Sequence, residues 1–172
     1  MKYQAVNPDR LGKFLPAALA AGLFFFGAAT LRAQETSGSH AYSADGETTI
    51  ETINGLRVIT LRDNVFVRQN AVELTGNVAV LEYNLDNQLQ KVTLTGTPAR
   101  FRQEEQDPAN AVSGYSDTIN YFAGAESIVE FIGTASFTQP GTSLLCARIR
   151  HTIETGATSG QACSGSLSPQ TN

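Results

Sequence analysis

The feature that most constrains this chain is a two-residue period. In "VELTGNVAVLEY", Val72, Leu74, Gly76, Val78 and Val80 fall on one side and Glu73, Thr75, Asn77, Ala79 and Leu81 on the other. Successive strand side chains point to opposite faces, so the stretch reads as a half-buried strand. From Ile50 to about Ile153 the chain repeats the theme in short runs rich in Val, Ile, Phe and Thr: "LRVITL", "NVFVRQ", "AVELTG", "NVAVLEYN", "QKVTLTG", "ARFRQE", "DTINYF", "SIVEFIG", "ASFTQ" and "LLCARIRHTIE". Gly, Asn and Asp punctuate the runs, and no helical stripe of useful length interrupts them. Asp86 and Asn87 suit a tight hairpin turn, and "EEQDPANAVSG" (104–114) reads as a solvated loop. The fold class is therefore all-β. "NVFVRQNAVEL" (64–74) is echoed seventy residues later by "TASFTQPGTSLL" (134–145), which favours stacked equivalent hairpins in a jelly-roll-like or solenoid arrangement.

The ends read differently. Lys2, Arg10 and Lys13 precede the apolar run "FLPAALAAGLFFFGAA", and small residues lead to a cleavage point after Ala33. This is the pattern of an export signal over 1–33, with a retained anchor over Phe14–Leu31 as the rival reading. Residues 34–49 read as a flexible leader, 50–154 as the folded domain and 155–172 as a polar, unstructured tail. Without residues 1–33 the chain keeps eight basic against fifteen acidic residues, a net charge near −7. Lacking a basic stripe, it has no electrostatic footprint for nucleic acid. In an exported chain the two cysteines, Cys146 and Cys163, read as one disulfide; a reactive thiol would need an activating neighbour, and only Arg148 is near in sequence.

Candidates for catalysis are scarce. A metal site would want several imidazoles and a carboxylate, but His40 lies in the leader and His151 near the end of the last run. Glu104, Glu105 and Asp107 read as a solvated loop surface, and Ser116 and Asp117 lack a nucleophile elbow. No Trp is present for a sugar-stacking platform. The expectation is a non-enzymatic chain with neither metal nor cofactor.

Three stretches carry a resemblance: "TGTPARFRQ" (95–103), "GYSDTINY" (114–121) and "SIVEFIGTASFTQ" (127–139). They resemble the lipopolysaccharide-transport periplasmic family, the OstA-like domain of LptA. Gly96, Pro98, Ala99, Phe101, Gln103, Gly114, Tyr121, Gly133 and Ala135 match its pattern in order, and "DNVFVRQNAVELTGNVAVLEY" is similar to its upstream strands. Asp63 stands where a Gly is usual, Thr134 where an Asn is, Cys146 where a Gly is common and His151 in place of a frequent aromatic. The resemblance covers about 50–153. It implies a twisted, partly open β-jelly roll in the periplasm that binds the acyl chains of lipopolysaccharide and works with similar jelly rolls at the inner and outer membranes. An LptC-like anchored component and a purely structural β-module are the alternatives.

Exposing an acyl chain of about a dozen carbons to water costs on the order of 10 kcal/mol, so a carrier needs a continuous apolar lining. Alternation proposes Val65, Val67, Val72, Leu74, Val78, Val80, Phe101, Ile119, Tyr121, Val129 and Phe131 for it, with Arg68, Glu73, Arg100, Arg102, Asn120 and Glu130 facing solvent. Phe101 and Tyr121 are the ones the family motif itself places there. Self-association is expected at the sheet edges, the first strands near 50–61 of one molecule pairing with the last strand near 144–153 of another.

Overall fold

In the computed structural model, which describes residues 40–105 and 108–169, the chain forms one ten-stranded sheet with every pairing antiparallel. The strands are β1 (His40–Ser43), β2 (Thr48–Ile53), β3 (Leu56–Gln69), β4 (Val72–Tyr83), β5 (Leu89–Gln103), β6 (Val112–Phe122), β7 (Ile128–Gln139), β8 (Thr142–Thr152), β9 (Thr158–Gln161) and β10 (Ser164–Leu167). Long strands β3 to β8 follow one another as a meander; β1 and β2 flank β3, and β9 and β10 flank β8. The sheet is not closed.

Turn chemistry explains the reversals. Asn54 and Gly55 both take positive φ (52° and 80°) between β2 and β3, the conformation a two-residue hairpin needs. Between β4 and β5, Asn87 is left-handed (φ 59°), and the Asn84 Oδ1 accepts from the backbone N–H groups of Asp86 (3.0 Å) and Gln88 (2.9 Å). The echoed segments are equivalent hairpins at the same end of the sheet, reversing at Asn70 and at Gly141.

Strands β3, β4, β5 and β7 each join two of the runs read from sequence. The register slips between Arg62 and Val65, Thr75 and Val78, Thr95 and Ala99, Tyr115 and Thr118, and Ile132 and Ala135. The slips lie side by side, because Val65 pairs with Gly76, Thr75 with Arg100, Ala99 with Ser116 and Tyr115 with Ser136. Bulges bend a strand, and a row of them bends the sheet along one line. The local sequence permits it: Asp63 (φ 63°), Asn64 (φ 48°), Gly133 (φ 76°) and Thr134 (φ 43°) are left-handed there. At Gly76 a Cβ would lie 2.8 Å from the Thr95 carbonyl oxygen.

The bend yields a first half-sheet (56–62, 78–83, 89–95, 118–122, 128–132, 148–152) and a second (65–69, 72–75, 99–103, 112–115, 135–139, 142–146). They fold face to face: Phe101 of the second meets Phe131 of the first with ring centroids 5.6 Å apart, and Phe137 meets His151 at 4.8 Å.

The structure corrects two boundaries. Within the supposed leader, β1 and the start of β2 pair with β3, and His40 stacks on Tyr83 with centroids 5.1 Å apart. Within the supposed tail, β9 and β10 pair with β8. These strands are almost wholly exposed, so no apolar alternation announced them. Consequently β8 is not an edge, and the docking strand expected near 144–153 is covered by the chain itself. The expected disulfide is present, Cys146 to Cys163. The export signal, residues 34–39 and Asp107 lie outside the described residues.

Candidate functional site

The site is the interior between the two half-sheets. Of the eleven lining candidates, Val65, Val67, Val72, Leu74, Phe101, Ile119, Tyr121, Val129 and Phe131 face inward and are buried. Val78 and Val80 do not: the bulge at Gly76 and Asn77 shifts the phase by one residue, so Ala79, Leu81 and Tyr83 turn inward instead. A one-residue slip exchanges the two faces of a strand. A like change of phase within β5 and β8 brings in Leu94, Ala99 and Ile149, while Leu61, Ala135 and Phe137 are buried in phase with the inward residues of their own strands, β3 and β7. Gly76 and Asn77 in β4 and Gly96 and Pro98 in β5 sit at those changes of phase, whereas the change in β8 falls within Cys146–Ile149, where no such residue occurs.

Phe131 is the centre of the packing. Its ring meets Phe101 edge-on (5.6 Å, 86°) and Phe137 at 5.8 Å. Gly114 makes room for it, since a Cβ there would lie 2.6 Å from Phe131 Cε1. Towards one end, Val67, Val72 and Leu74 press against Leu89, Val92 and Tyr121, leaving no gap that admits water. The predicted outward residues do face out; Arg68 pairs with Glu73, Arg150 with Glu130 (2.9 Å), and Asn120 Oδ1 accepts from the Thr93 hydroxyl (3.1 Å).

A few polar atoms enter this apolar space. Tyr83 Oη, Gln69 Oε1, Gln103 Oε1 and His151 Nε2 are buried without a hydrogen-bond partner. Burial pushes the Tyr83 phenol up to about 12 and raises that of Tyr121, which a 3.4 Å contact with Ser127 Oγ partly offsets. Burial lowers His151, opposed in part by Glu154; its Nδ1 lies 2.9 Å from Thr158 Oγ1. Among the described residues no group of His, Cys, Asp and Glu could hold a metal, and no helix is long and apolar enough to cross a membrane. A further depression of about 350 Å³ is lined by Glu73, Arg100, Phe101, Arg102 and Tyr115.

The inner face reaches solvent at the sheet's two ends. Tyr42 pairs with Val67 and Ile50 with Ile59, and directly opposed residues share a face, so both extend the inner surface. They are 39% and 62% exposed. At the other end Leu167 pairs with Thr142, itself opposite Gln139, and is 83% exposed.

A bent, unclosed antiparallel sheet with an apolar interior running from edge to edge defines an open β-jelly roll. The chain belongs to the family described as LptA/(LptD N-terminal domain) LPS transport protein, whose family model matches residues 38–157. It is 30% identical over 86 residues to the lipopolysaccharide export system protein LptH of Pseudomonas aeruginosa, a match covering 50% of this chain and 49% of that protein. The chain thus spans about half the length of the curated relative it matches. The crystal structure of LptH, the LptA-homologous periplasmic component of the lipopolysaccharide transport device of that organism, superposes with a TM-score of 0.67 at 23% identity, covering 77% of this chain and 97% of that one. The fold expected from the resemblance is the fold observed.

Proposed function

We propose that this chain is a periplasmic, non-enzymatic lipopolysaccharide carrier that shelters acyl chains between its half-sheets and passes them along a head-to-tail assembly toward the outer membrane. Export with cleavage after Ala33 delivers it to the periplasm, and its partners are lipopolysaccharide, membrane-bound transport proteins with similar jelly rolls, and further copies of itself. The observation that carries the reading is the apolar inner face that continues out to both edges, at Tyr42 and Ile50 on one side and Leu167 on the other. Exposed apolar surface of this kind marks an interaction site. A second subunit stacked edge to edge would extend the lining without exposing cargo between subunits.

The test is photo-crosslinking in cells with a photoreactive residue at Phe101 or Tyr121 and, as outward controls, at Arg102 and Asn120, followed by immunoblotting for lipopolysaccharide. Adducts are expected from the inward pair alone. A folded, well-expressed protein free of adducts at all four positions overturns the reading and leaves a structural β-module. Sequencing the exported protein's N-terminus separates the cleaved carrier from an anchored, LptC-like component, which would retain Phe14–Leu31.

A further inference from the structure

The chain's two edges are built alike but held differently. β1 and β2 form one interrupted lane along β3, continuous through the backbone bonds of Asp45 N–H to the Asp63 carbonyl (2.8 Å) and Gly46 N–H to the Arg62 carbonyl (2.9 Å). β9 and β10 form a matching interrupted lane along β8. Between them run the six long strands, so the sheet has eight lanes, all antiparallel to their neighbours.

Eight is even, and that has a geometric consequence. The first and last lanes run in opposite directions, so a second copy, displaced along the stack in the same orientation, brings its β1–β2 lane antiparallel to β9–β10. Both half-sheets and the interior then continue across the junction. Without the last lane, β8 would meet the incoming β1–β2 lane in parallel, and the regular antiparallel ladder would break.

The last lane has little of its own to keep it in place. Its side chains are nearly all exposed, and its sequence, "TSGQACSGSL", offers Gly and Ser rather than strand-forming residues. Beyond its backbone ladder to β8, what anchors it is the Cys146–Cys163 disulfide, joined by the contact of Thr158 Oγ1 with the buried His151. The anchor is fitted: Gly160 packs against both sulfurs, and a Cβ there would collide with Cys163 Sγ and lie 2.8 Å from Cys146 Sγ. Edges that avoid pairing usually carry charge. Residues 155–172 contain no Asp, Glu, Lys or Arg.

We propose that the Cys146–Cys163 disulfide locks the β9–β10 lane onto β8 and so creates the strand on which the β1–β2 lane of a second copy docks. This deepens the carrier reading and rests on its head-to-tail assembly. Closing a loop of 17 residues disfavours the detached lane by roughly a hundredfold.

The test compares the mature protein with its Cys146→Ala/Cys163→Ser variant by light scattering across a concentration series, with hydrogen exchange over 142–152 and 158–167. The parent is expected to form concentration-dependent oligomers. The variant should need at least tenfold higher concentration and lose protection over 158–167 while keeping the rest of the sheet. Parent protein treated with a phosphine reductant repeats the test without substitution and serves if the variant misfolds. Unchanged assembly after loss of the disulfide overturns the proposal, as does a folded chain ending at Glu154 that assembles like the parent. A parent that stays monomeric while Phe101 still yields lipopolysaccharide adducts overturns docking and leaves carriage standing. Oligomers without adducts do the reverse.

Discussion

Replacing Phe131 by Ala tests whether the half-sheets form one close-packed interior. The ring is fully excluded from solvent and touches Phe101 and Phe137 of the opposite half-sheet with centroids 5.6 and 5.8 Å away. Deleting a buried Phe costs about 3–5 kcal/mol, the upper part of that range applying where neighbours cannot collapse. Collapse is hindered here because Phe101 and Phe137 belong to strands held on both sides by long partners. With a urea m-value of about 2 kcal/mol per M, the unfolding midpoint should fall by roughly 2 M. Equilibrium urea unfolding followed by circular dichroism, with the disulfide intact, measures it. The new void, lined by aromatic and aliphatic groups, should take an apolar guest, so added decanoate should raise the variant's midpoint more than the parent's. A loss below about 1 kcal/mol would refute the reasoning, since the half-sheets would then not pack through this ring.

Three further outcomes follow from the same geometry. Because burial lowers the His151 pKa, its neutral form is favoured in the folded state: its contribution is full above the unfolded value of 6.5 and is lost as pH falls below it, at up to about 1.4 kcal/mol per unit. His151→Phe should flatten that part of a stability-against-pH curve measured by urea unfolding. Thr134 is β-branched, exposed and left-handed (φ 43°), so Thr134→Asn should raise stability by about 1 kcal/mol, read from the same unfolding curves. Glu130→Gln, which removes the partner of the half-exposed Arg150, should change stability by less than about 1 kcal/mol; a larger loss would mean the pair is not a surface one.

The sequence made the strands legible because alternation is a local signal, and nine of the eleven candidates it put on the inner face are buried there. Val78 and Val80 were misplaced because "VELTGNVAVLEY" looks like one uninterrupted period. The bulge at Gly76 and Asn77 is set by the neighbouring strand, whose Thr97 N–H bonds to Asn77 Oδ1 at 3.2 Å. Asp63 and Thr134, read as departures from the family pattern, sit in the line of bulges at positive φ, where Gly and Asn are the easier residues. The edge lanes were illegible for a different reason. His40–Ser43 and Ser164–Leu167 are ordered by backbone pairing to strands far away in sequence, so their own side chains carry almost no record of it. Only the cysteine pair hinted that the tail was tied down.

A filled interior is compatible with a carrier when the exchange is reckoned rather than the binding alone. Separating the half-sheets exposes apolar side chains such as Phe101, Phe131 and Phe137, and an acyl chain entering between them covers that surface again. At ~0.8 kcal/mol per CH₂, a chain of about a dozen carbons returns on the order of 10 kcal/mol against a cost of similar kind and size. The two terms oppose each other, so net affinity stays well below what cargo burial alone suggests. A subunit that closes on itself when unloaded keeps its lining from water and from other proteins. It can also release cargo to a neighbour offering the same lining, because on transfer the gain in one subunit offsets the loss in the other. On the proposed reading, directionality must then come from the ends of the assembly rather than from any one interior. That makes edge architecture as consequential for transport as the lining.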